Sequence, residues 1–89
     1  MNKSYRVLYQ VTFTHPDKSN YIKVFATSKK IAMYLYKHCK RWSCTVDRIS
    51  KDTKDYILSR FSMSSERDYF IENYIIDTFY KADKIINEL

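Results

Sequence analysis

The 89-residue chain contains no glycine and a single proline. That absence narrows what it can build more than any other feature. Phosphate-cradling loops and dinucleotide fingerprints need a close backbone approach that a Cβ blocks. ATP, GTP and NAD chemistry in their usual forms are therefore excluded, and no cofactor is expected. A chain of this length makes one domain, residues 1–89, and buries only about 60–65% of its unfolded surface. It has little room for an enclosed ligand. With 45% apolar and 17% aromatic residues it is globular rather than disordered. Some of the nine tyrosines are expected at the surface, where an amphipathic ring serves recognition.

The hydrophobic pattern predicts an α+β domain of order β-β-α-β-α-α. Ser4 to Thr14 alternates, with Tyr5, Val7, Tyr9, Val11 and Phe13 on one face. Arg6, Gln10, Thr12 and Thr14 take the other face, joined by Leu8. His15-Pro16-Asp17-Lys18-Ser19-Asn20 is a turn, and Tyr21 to Ala26 completes a hairpin. Thr27 or Ser28 caps a helix from Lys29 to Arg41 with Ile31, Ala32, Leu35, Tyr36 and Cys39 inside. Trp42 to Ile49 reads as a third strand, and Thr53 to Phe61 as a helix. Ser64 or Ser65 then caps a last helix from Glu66 to Asn87. Its stripe comprises Ile71, Tyr74, Ile75, Phe79, Ala82, Ile85, Ile86 and Leu89. The expected architecture is a three-stranded antiparallel sheet with helices packed on one face.

No apolar run approaches the roughly 18–20 residues of a membrane span, and the first residues lead into alternation rather than an apolar signal core. A cytoplasmic protein without membrane contact is expected. Cys39 and Cys44 are too few for a disulfide scaffold.

Candidate chemistry is sparse. His15, His38, Cys39 and Cys44 could supply four zinc ligands, but His38 and Cys39 are adjacent on a helix and diverge by about 100°. Cys44 lies near Lys40, Arg41 and His38 in sequence, yet it reads as a small strand hydrophobe. The carboxylate pairs Asp52/Asp55 and Asp68/Glu72 fit a helix N-terminus and a solvated helix face. No metal site and no catalysis are expected. A small hydrolase or nuclease dependent on His15 or His38 is the weakest of the readings considered.

Charge is the stronger signal. Residues 1–51 carry +9 and residues 52–89 carry −3, which gives the whole-chain +6. On the helix from Lys29, the residues Lys30, Lys37 and Arg41 fall opposite the apolar stripe. Tyr34 lies beside them, and Lys29 and Lys40 flank the edge. Such a ridge neutralises phosphates or meets an acidic protein partner, with Tyr34, and Trp42 as an addition, able to stack on a base. On the last helix, Tyr69, Ile76 and Tyr80 fall away from the core stripe and read as a protein contact or homodimer seam.

Two resemblances accompany these patterns. Ser28-Lys29-Lys30-Ile31-Ala32 is similar to the opening of the last helix of double-stranded-RNA-binding domains, whose two lysines contact phosphates. The resemblance gives that role to Lys29 and Lys30. The chain departs from that family in lacking its first helix and glycines. The whole chain, rich in Lys, Ile, Tyr and Asn, also resembles small accessory proteins of phages and mobile elements, anti-CRISPR inhibitors among them, in size and composition. Together these imply a non-enzymatic binding protein that occupies nucleic acid, or the nucleic-acid groove of a host nucleoprotein complex. The alternative is a protein–protein adaptor or homodimer using the outer face of the last helix.

Overall fold

The computed structural model describes residues 5–60, 69 and 71–89. The elements are β1 (Tyr9–Thr14), β2 (Tyr21–Ala26), α1 (Lys29–His38), β3 (Ser43–Arg48), α2 (Lys51–Arg60), β4 (Ile75–Ile76) and α3 (Phe79–Glu88). Residues 71–74 are helical. The first strand begins at Tyr9, so Tyr5, Arg6, Val7 and Leu8 of the expected Ser4–Thr14 strand precede it. Ser4, the serine interruption, the last-helix start at Glu66 and the candidate Asp68 lie outside the described residues.

The domain is α+β, but its sheet has four strands in the order β3-β1-β2-β4 rather than three. The first three are antiparallel, and β4 joins β2 in parallel, pairing Phe25 with Ile75 and Ala26 with Ile76. The predicted long last helix is thus broken. Ile75 and Ile76, neighbours on a strand, point to opposite faces and are both buried. Their β-branched side chains suit this slot. The chain re-enters a helix at Thr78, which is extended (φ −140°) and whose hydroxyl accepts from the Lys81 amide at 3.1 Å. Lys81 bridges the break: its Nζ donates to the Ile71 and Ile75 carbonyls, both at 3.4 Å, and pairs with Asp77 at 3.3 Å.

Helices cover both sheet faces, not one. On the first face Val11, Phe13, Val24, Ala26 and Ile76 meet Ile31, Ala32 and Leu35 of α1 and Ala82 of α3. On the second, Leu8, Phe25 and Ile75 form a smaller core with Ile57 and Leu58 of α2 and Ile71. This explains the single leucine on the polar side of the first strand. Each large side chain so buried contributes about 1.5–3 kcal/mol relative to exposure.

Ser28 caps α1: its extended backbone (φ −151°) presents Oγ to the Ile31 amide at 3.2 Å. The helix ends at His38, three residues short of the predicted Arg41. Cys39 turns extended (ψ 111°) while its N–H bonds the Leu35 carbonyl at 3.0 Å. Its thiol then donates to the Trp42 carbonyl at 3.2 Å, which closes the turn into β3.

Candidate nucleic-acid interface

Lys29, Lys30 and Lys37 are exposed on α1, and Lys40 and Arg41 are exposed on the turn that follows it. Because α1 stops at His38, Lys40 and Arg41 leave the helical stripe. The predicted continuous ridge therefore becomes two groups, at opposite ends of a helix about 15 Å long. Among the described residues, none of the five cations takes part in an ion pair.

The two groups differ electrostatically. Lys37 and His38 occupy the last turn of α1, where the helix dipole favours cations by about 0.3–1 kcal/mol. Lys29 and Lys30 occupy the first turn, which holds no acidic residue, so the dipole opposes them. An anion bound there would relieve both the dipole and the lysine repulsion.

At the far end, α1 and α3 run side by side in one direction. Tyr34 meets Phe79 edge-on at 5.0 Å near the start of α3, and residues 38–41 face Ile86, Asn87 and Leu89 at its end. Between them lies an open cleft of about 250 Å³ lined by His38, Cys39, Lys40, Arg41, Ile86, Asn87 and Leu89. No described lining residue is acidic. The cleft has an apolar side and a cationic side.

Tyr34 is not a free stacking ring on the ridge. Its hydroxyl donates to Asp83 of α3, its ring lies against His38 at 4.3 Å and Phe79 at 5.0 Å, and the carboxylate raises its phenol above the ordinary 10.0. Trp42 is half-buried against the main core, with its indole edge-on to His15 at 5.0 Å. Ile76 is 1% exposed in β4, so it is a core residue and not part of an outer face. Tyr69 (61%) and Tyr80 (80%) are exposed.

The residues weighed for chemistry are drawn into local contacts. His15 Nδ1 lies 2.8 Å from Asp17 Oδ1 and 3.2 Å from the Asp17 amide. It accepts from the amide when neutral and pairs with the carboxylate when protonated. The side-chain and backbone hydrogen bonds of Ser19 hold the Asp17 carboxyl down to about 2. Burial, with Cys39 nearby, pushes the Cys44 thiol up to about 12. Among the described residues, no three His, Cys, Asp or Glu side chains gather as a metal site would need.

Sequence reasoning missed the second face of the sheet, where Tyr21 is 64% exposed and the Lys23 ammonium lies 5.4 Å from its ring centroid. The alternation of Tyr21, Lys23 and Phe25 carried that information, since alternate strand residues share a face. No helix among the described residues is long and apolar enough to cross a membrane. No family model matches the chain, and comparisons with curated proteins and with solved structures find no match.

Proposed function

We propose that the protein is a non-catalytic binding module that holds the phosphates of a nucleic acid with α1 and the turn after it. The observation that carries this is the set of five exposed cations, Lys29, Lys30, Lys37, Lys40 and Arg41, without ion-pair partners among the described residues. Cations left without ion-pair partners on α1 and the turn after it, two of them against a helix dipole, suit an external anion. The resemblance of Lys29 and Lys30 to the phosphate-contacting lysines of double-stranded-RNA-binding domains agrees with this. In size and composition the chain resembles anti-CRISPR proteins, and an inhibitor of that kind would act by occupying nucleic acid or the groove that holds it.

The test is fluorescence anisotropy with labelled DNA and RNA at low salt, comparing the wild type with the Lys37→Ala/Lys40→Ala/Arg41→Ala variant. Binding weakened at least tenfold by the triple change supports the proposal. Equal binding by both proteins contradicts this placement of the site.

A second reading rests on Tyr80. It lines an open groove of about 290 Å³ with Ile76, Ile85, Lys81 and Lys84, bordered by Glu72 and Glu88. This mixture of an aromatic ring, aliphatic side chains and both charges suits a protein contact or homodimer. Sedimentation equilibrium of the wild type and Tyr80→Ala decides it. A dimer dissociated by the substitution favours this reading, and a monomer in both sets it aside.

A further inference from the structure

Among the described residues, α2 and residues 71–74 cover the second sheet face at one end, where Leu8, Phe25 and Ile75 are buried. The strand register defines what stands on the rest. Thr12 pairs with Lys23 and Thr45, and Thr14 pairs with Tyr21 and Ser43. Directly opposed residues share a face, so six side chains form two rows of three: Thr45-Thr12-Lys23 and Ser43-Thr14-Tyr21. With strands about 4.8 Å apart and same-face neighbours about 7 Å apart, the patch measures roughly 10 by 7 Å. Tyr21, Lys23, Ser43 and Thr45 are exposed, and Thr12 and Thr14 are half-buried.

We propose that this face is a platform for single-stranded nucleic acid, with a base stacked on Tyr21 and the neighbouring phosphate on Lys23. This rests on the nucleic-acid reading above and adds to it the strand form and the side chain that meets a base. Tyr21 is 64% exposed on this face. The Lys23 ammonium lies over one face of the ring, 5.4 Å from its centroid, so the base takes the opposite face and the cation stays within reach of the nucleotide's phosphate. Threonine and serine hydroxyls across β1 and β3 donate and accept, as base edges and sugars require. The loop joining Thr14 to Tyr21 carries Lys18 and, one residue before it, the carboxylate of Asp17. The acid nearest in register is Asp47, opposite Gln10 in the next row toward α2. A duplex hides its base faces and cannot use the ring, whereas an unpaired strand can.

The experiment uses the full chain with fluorescein-labelled single-stranded and duplex 12-mers, and a single strand carrying 4-thiouridine for photo-crosslinking and mass spectrometry. Tyr21→Ala is expected to weaken single-strand binding by roughly 5- to 150-fold, the range for one base–aromatic stack. Duplex binding should change less than about twofold, Tyr21→Phe should bind as the wild type does, and the cross-link should map to Tyr21 or Lys23. Suppose the wild type binds single strands, the Lys37/Lys40/Arg41 variant loses that binding, and Tyr21→Ala keeps it with cross-links elsewhere. The platform is then wrong while the basic site stands. If the wild type binds neither polymer, both are wrong.

Discussion

A lysine ammonium taken out of water must find acceptors. Lys54, 8% exposed, finds the Tyr5 carbonyl at 2.6 Å and the Arg6 carbonyl at 3.3 Å, which tethers the segment before β1 to α2. Lys54→Met keeps the apolar stem and removes the donor. It should lower unfolding free energy by about 1.5–3 kcal/mol in urea titrations. Asp55→Ala removes an exposed carboxylate 3.8 Å away and should cost less than about 1 kcal/mol. Cys44 gives a pH prediction. Its thiol is raised from 9.0 to about 12, so its contribution to stability is fully present below pH 9 and is lost as pH rises toward 12. A thiol-reactive dye at pH 8 should label it more slowly in the folded than in the unfolded chain, and equal rates would place it in water. Asp17 runs the other way: lowered from 3.8 to about 2, its contribution is present above 3.8 and is lost as pH falls toward 2. Ser19→Ala removes the hydroxyl donor and should move its NMR carboxyl titration upward.

At the level of elements, the break between β4 and α3 separates two residues that a single long helix places together. Ile76→Ala should cost about 2–5 kcal/mol, as a cavity in the main core does. Tyr80→Ala should stay within about 0.5 kcal/mol, and Thr78→Ala should cost about 0.5–2 kcal/mol through the lost cap. Chemical denaturation of the three variants checks the order. β1, β2 and β3 were legible because alternation on the hairpin and on Cys44 and Val46 matches the sheet. The start of α1 was legible because Ser28 is a good cap. The break was not, because Ile71, Ile75, Phe79, Ala82 and Ile86 keep helical spacing across it and no glycine or proline marks it. What selects the strand is tertiary: the edge of β2 offers backbone partners for two residues with a core on each side. The early end of α1 was hidden for a similar reason. Cys39 leaves the helix with its thiol on the Trp42 carbonyl, a contact that spacing does not reveal. The basic residues were therefore found by charge alone, while their grouping into two ends, and the use of Tyr34 by α3, came only from packing.

For the whole molecule, the +6 charge is unevenly distributed, with +9 on the first 51 residues. Five of the eleven basic residues in that half lie on α1 and the turn after it, while Asp83 and Glu88 belong to the neighbouring α3. Net charge alone would attract any polyanion weakly and without a defined footprint. A built site differs in the number of phosphates it neutralises, which the salt dependence of affinity counts. The most direct measurement is thus the slope of log affinity against log salt for a labelled 12-mer, for the wild type and for the Lys37→Ala/Lys40→Ala/Arg41→Ala variant. The account predicts a wild-type slope that the triple change flattens by about two units, on single strands. A slope unaltered by the three substitutions, or no binding at low salt, would contradict it.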